Sequence, residues 1–211
     1  MAFFQTFPFW IKLIDATHSP EFLPEIGKVY IWFADFTLVN FKTVIESARL
    51  FQALGVSLLH TVSFTGLSLF VAVLVGYVLA KMQFKGKAFV STLLLTTLMI
   101  PGEILLAANY KLTIFFGIND SILGIILPGI VNVFGIFLVK QYMSNIPDSV
   151  LEAAGIDGCG EFKKIIVIVF PMSVPIIMTY VILTFIGTWN EYLFPMILYT
   201  TSGSGWLYTL Q

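Results

Sequence analysis

From Ser57 to Ala80 the chain runs for 24 residues without an Asp, Glu, Lys or Arg, and this stretch restricts the fold more than any other feature. About 20 apolar residues in a helix match the hydrocarbon thickness of a bilayer. With no water there to satisfy backbone amides, such a segment must form a helix or part of a closed barrel. Further apolar runs at 88–116, 121–139 and 165–190 repeat the pattern. The fold class predicted is therefore all-α, a polytopic membrane helix bundle with four spans. Composition agrees: 11% of residues are charged, against roughly a quarter in soluble proteins. Within the first run, Ala72, Gly76 and Ala80 recur every four residues, a spacing that lets a second helix approach closely. Pro101-Gly102 interrupts the second run and leaves the carboxylate of Glu103 either at depth, where it would be functional, or at a helix start near water. Pro128-Gly129 is expected to kink the third.

Charge gives the orientation. Lys81, Lys85, Lys87, Lys140, Lys163 and Lys164 make up six of the 11 basic residues, and short lysine-rich loops stay in the cytoplasm. Residues 81–87 and 140–164 are thus expected inside and 15–56 outside, the latter ending in a short amphipathic helix, Leu38 to Leu54. Residues 1–14, MAFFQTFPFWIKLI, are apolar but too short to cross; they read as part of a membrane helix or as an interfacial segment. Tyr192 to Tyr199, broken by Pro195, is expected to be irregular or re-entrant, followed by a loop from Thr200 to Gly205. A net charge of -1 without a basic patch gives no reason to expect nucleic acid. His18 and His60 have no ligand-spaced partners, so no metal site is expected, and the single Cys159 has no partner for a disulfide.

One polar island, 145–164, stands between the last two spans. Pro147 suits the first turn of a helix, Asp148 or Ser149 can cap it, and Ser149-x-x-Glu152 has capping-box spacing. Gly158 is placed to close that helix in a left-handed conformation. A second helix starts near Glu161 and runs into the last span, whose Pro171 and Pro175 a bundle can tolerate. Gly155 in mid-helix costs up to about 1 kcal/mol against Ala, so a close contact is expected there. A short helix braced by a glycine turn is a rigid projection. Glu152 and Asp157 could be read as an acid pair for hydrolysis, but without a partner His they are better read as structural or contact residues. No nucleotide-binding motif is present, so the chain is expected to bind no cofactor and to hydrolyse no ATP itself.

Glu152-Ala153-Ala154, Asp157-Gly158 and the branched apolar run closing on Pro171 resemble the EAA loop of permease subunits of binding-protein-dependent ABC importers, the maltose-type carbohydrate branch in particular. Tyr77-Val-Leu-Ala-Lys81, Met99-Ile-Pro-Gly-Glu103, Ile146-Pro147 and Phe185 through Trp189-Asn190 to Pro195 agree, so that the resemblance covers roughly 37–211. It implies the type I importer permease fold and a bacterial inner-membrane location. It also implies three protein partners besides membrane lipid: a second permease subunit, identical or different; a cytoplasmic ATPase dimer that binds the ATP; and an extracytoplasmic solute-binding protein. Glu152, Ala153 and Ala154 would lie in a groove of the ATPase, with Asp157 and Gly158 shaping the contact. Pro147, Ser149, Gly155 and Pro171 would be structural in this loop. Glu103, Trp189, Asn190 and Glu191 are candidates for the solute path. Against the family's length, part of the first helix and all of the last are expected to be missing. The competing class is an ion-coupled transporter or channel using Glu103 and Glu191.

Overall fold

A computed structural model describes residues 2–19, 29–33, 35–46, 48–119 and 121–202. Among these, the regular structure is helical throughout. The chain divides into two compact units, Met1–Leu54 and Gly55–Gln211.

In the first unit, helix α1 (Ala2–Ala16) contains Pro8 and is closed by side chains from the segment after it. Asn40 Nδ2 donates to the carbonyls of Ala16 at 3.2 Å and His18 at 2.7 Å, and Thr37 N donates to Thr17 O at 2.7 Å. These bonds satisfy carbonyls that a helix end leaves without partners. Trp10 donates its indole N–H to Ile31 O at 3.1 Å and packs edge-on against Phe33. The single amphipathic helix expected over 38–54 is not observed. Instead α2 (Val39–Glu46) ends early and α3 (Ala48–Lys81) starts nine residues ahead of Ser57. Gly55 does not stop α3, because an isolated glycine costs at most about 1 kcal/mol, less than a long helix gains by continuing.

The second unit is built around α3. From Leu50 to Lys81 it is long and apolar enough to cross a membrane, and three bent helix pairs would bring the crossings to four if each counts as one. The pairs are α4 (Lys87–Thr97) with α5 (Gly102–Phe115) at 102°, α6 (Ile122–Gly129) with α7 (Val133–Met143) at 49°, and α9 (Glu161–Met172) with α10 (Val174–Trp189) at 81°. Each break has a chemical cause. Pro101 occupies the N-cap of α5, and Asn132 caps α7 by accepting from Gly135 N at 2.9 Å. The run from 165 to 190, expected as one span, turns sharply at Ser173. Pro171 and Pro175 lack the amides that would bond one turn back, and a π-helical turn at Ile165–Val169 precedes them.

One core cluster joins these pieces. Ala72, Val73, Tyr77 and Leu79 of α3 meet Ile136, Val139 and Met143 of α7, Ile165 and Val169 of α9, and Ile177 and Tyr180 of α10. The small-residue stripe works as expected: a Cβ on Gly76 would lie 3.1 Å from Val139 and 3.2 Å from Lys140 N, so α7 crosses there. A second close approach has no counterpart in the sequence reading. Tyr180 is fully buried with its ring over Gly135, where a Cβ would lie 2.1 Å from the ring, and its hydroxyl pairs with Ser68 of α3.

The segment after Glu191 also departs from expectation, since Leu193–Ser202 is a helix, α11. Pro195 does not prevent it because it lies in the first turn, where a missing N–H removes no intrahelical bond. Phe194 and Leu198 then bury against Ile125. The remainder of the expected small-residue loop, and Trp206 to Gln211 beyond it, lie outside the described residues. Gly117, at φ 66°, follows α5 in the left-handed conformation that glycine favours.

Candidate functional site

Two features carry the residues singled out from the sequence: the 145–164 projection and a cavity among the helices of the second unit.

The projection begins at Pro147, which holds extended geometry at the N-cap of α8 (Asp148–Ile156) without any side-chain cap. The expected capping box is therefore absent. Ser149 lies inside the helix instead of at its cap, and Asp148 is turned to the end of α3, where it pairs with Lys81 Nζ at 2.7 Å. Lys81 also donates to the Ile146 carbonyl, and its side chain is only 7% exposed. The C-terminus closes as predicted. Gly158 has φ +80°, Cys159 N donates to Ala154 O at 2.9 Å, and Gly158 N donates to Gly155 O at 3.1 Å; a left-handed residue of this kind favours glycine. Gly160 has an ordinary φ of -68° and caps the following helix.

Glu161 then ties the projection to α3 a second time. Its Oε2 accepts from the Tyr77 hydroxyl at 2.6 Å and its Oε1 from Lys164 Nζ at 2.7 Å. Hydrogen bonds from Lys164 and then Tyr77 hold its carboxyl below the usual carboxylate range. With Leu151 and Ala154 buried on the inner face, α8 is fixed at both ends and along one side; Ala154, expected in the outward contact with Glu152 and Ala153, is thus buried within this chain instead. Burying Leu151 alone contributes about 2 kcal/mol.

The outer face of α8 presents Glu152, Ala153, Ile156 and Asp157, all exposed. Ile156 is 88% exposed. It went unremarked in the sequence, although the inward position of Leu151 and Ala154 puts it on the opposite face. An added Cβ on Gly155 would meet only the tip of Lys164 at 3.4 Å, an ordinary contact, so the close approach expected there is not made within this chain. Pro171 is exposed beside the Ser173 bend.

The cavity, about 310 Å³, is lined by His60 and Phe64 of α3, Glu103 and Asn109 of α5, and Thr188 and Glu191 at the end of α10, among others. Glu103 and Glu191, 88 positions apart in sequence, thus share one site. Glu103 is exposed in the first turn of α5, and Glu191 Oε1 accepts from Phe194 N at 3.3 Å. Trp189 and Asn190 are not brought into it: Trp189 stacks on Phe185 with rings 6° apart, and Asn190 Nδ2 bonds back to Ile186 O at 2.8 Å. His60, 2% exposed and tilted against Phe64, belongs to a buried polar face of α3 with Ser57, Thr61, Thr65 and Ser68. The three-to-four spacing of these residues was the available signal. Among the described residues no group of His, Cys, Asp and Glu is arranged to hold a metal ion.

Residues 72–210 match the family described as binding-protein-dependent transport system inner membrane component. The arabinooligosaccharides transport system permease protein AraQ of Bacillus subtilis is 35% identical over 147 residues, 70% of this chain and 51% of that protein. AraQ of Halalkalibacterium halodurans is 32% identical over 200 residues, 93% of this chain and 71% of that protein. The chain therefore spans between about half and seven-tenths of these relatives. In fold it is similar to a chain of a bacterial ABC transporter involved in import of the acidic polysaccharide alginate, with TM-score 0.80 and 23% identity over 93% of this chain and 69% of that one.

Proposed function

The chain belongs to the binding-protein-dependent transport system inner membrane components, and on that footing we propose that it is a permease subunit of an ATP-driven importer of carbohydrate. Its helices form part of the solute path, while ATP is bound and hydrolysed by a separate cytoplasmic ATPase dimer. A second permease subunit completes the path and an extracytoplasmic solute-binding protein delivers to it. In this reading the protein is multi-pass in the bacterial plasma membrane, with 81–87 and 140–164 facing the cytoplasm and 15–56 outside.

The observation that carries the reading is the mounting of α8. Lys81–Asp148 and Tyr77–Glu161 join both ends of the projection to the last turns of α3, so a push on the exposed face moves α3 instead of being absorbed in the loop. Glu152, Ala153, Ile156 and Asp157 form the contact: two carboxylates for basic residues of the ATPase, one small residue and one apolar knob. Gly158 fixes the turn behind them. The carbohydrate class follows from AraQ, whose name states arabinooligosaccharide transport.

The test is uptake by proteoliposomes holding this chain with its second permease, ATPase and binding protein. Uptake is expected to require internal ATP and to persist when proton and sodium gradients are collapsed. Uptake that follows an ion gradient without ATP would instead support the reading in which Glu103 and Glu191 relay ions.

A further inference from the structure

Resting on the reading of the 310 Å³ cavity as part of a carbohydrate path, we propose that it selects an uncharged saccharide and rejects one bearing a uronate carboxylate. The lining holds two carboxylates, Glu103 and Glu191, and no Lys or Arg. Glu191 uses one oxygen on Phe194 N, leaving its other oxygen, and both of Glu103, as acceptors. An ionised carboxylate accepts and never donates, so it matches the O–H donors of a sugar. A uronate replaces one such donor with an acceptor and adds a like charge.

The rest of the lining is consistent with a neutral guest. His60 is 2% exposed, and an imidazole in its neutral form offers one donor and one acceptor. Asn109 offers both a donor and an acceptor. Phe64 and Phe194 supply apolar surface for the C–H faces of a sugar ring. The volume lies at the small end of the range for ligand sites, roughly 300–1,000 Å³. Like charges brought together across a contact suppress the wrong partner.

The purified assembly of this chain with its second permease and ATPase, in lipid nanodiscs without the binding protein, is titrated with labelled galactotriose and trigalacturonate at neutral pH. The neutral trimer is expected to bind at least tenfold more tightly. Glu103→Gln and Glu191→Gln, both isosteric changes at exposed side chains, should each narrow that ratio, and the double variant should bring it near unity. Equal or tighter binding of trigalacturonate, a ratio that the double variant leaves in place, or no binding of either trimer would overturn the proposal. The wild-type ratio decides the matter even if a variant fails to assemble. ATP-dependent uptake in the preceding test would survive each of these failures, so the two readings fail separately.

Discussion

Replacing Gly135 by Ala should destabilise the bundle far more than a single methyl group suggests. An added Cβ would lie 2.1, 2.5 and 2.8 Å from Cε2, Cζ and the hydroxyl oxygen of Tyr180, well inside the 3.5–4.0 Å of a normal carbon contact. The ring must therefore move by more than 1 Å. It is fully buried, so it has no open direction, and the move separates its hydroxyl from Ser68. Overpacking of this kind costs about 1–3 kcal/mol, and losing an interhelical hydrogen bond in a membrane about 0.6–2 kcal/mol. Against this, Gly→Ala in a helix gains up to about 1 kcal/mol. The net is a loss of about 1–4 kcal/mol, or very roughly 2–16 °C in melting midpoint for a chain of this size. The assay is thermal unfolding of the detergent-purified protein, with Gly55→Ala as control because nothing lies within 4 Å of that site. The double change Gly135→Ala/Tyr180→Leu should recover part of the loss. A Gly135→Ala protein as stable as Gly55→Ala would refute the packing of α3, α7 and α10 described above.

Three further predictions follow from the projection. Lys81→Met removes the partner of Asp148 and of the Ile146 carbonyl, so amide exchange over 145–158 should speed by about tenfold or more, consistent with the 1–3 kcal/mol cost of an unmet buried group; unchanged exchange would mean the tie is not made. Glu161 has its carboxyl held down by Lys164 and Tyr77. A depressed carboxyl stabilises above its unfolded pKa, about 4.3, and that contribution is lost as pH falls through the folded value. The stability difference between wild type and Glu161→Gln should thus be full at pH 7 and shrink below about pH 4, whereas a flat difference would contradict the linkage. Cys159, the single cysteine and partly exposed, should react with a membrane-impermeant maleimide in inside-out vesicles and not in right-side-out ones; the reverse would invert the proposed topology.

Local chemistry was readable from the sequence, and long-range geometry was not. Gly158 after Asp157 announced a left-handed helix end, and that is a one-residue property. The Gly76 stripe announced a close crossing but not that Val139 would fill it. Gly135 looked like any glycine, because its partner Tyr180 is 45 positions away and only the folded bundle brings the ring over it. Prolines misled in both directions. Pro195 was read as a breaker although it falls in a first turn, while Pro171 and Pro175 were read as tolerable although the helix bends 81° at Ser173 between them. The capping box failed because Pro147 takes the N-cap, which leaves Ser149 inside the helix, while Lys81, 67 positions before Asp148, claims that other candidate cap. His60 was weighed only for metal ligation, and its place in one cavity with Glu103 and Glu191 required the tertiary fold.

If the exposed face of α8 receives the force of an ATPase, solute-stimulated ATP hydrolysis by the complete reconstituted transporter carrying Glu152→Lys will show it. Glu152 is exposed and makes no ion pair among the described residues, so reversing its charge should leave the fold of this chain unaltered. The variant is expected to assemble into the membrane with its second permease but to lose most of its ATP-driven uptake, with solute no longer stimulating hydrolysis. Full uptake and full stimulation by the Glu152→Lys transporter would contradict that role of α8.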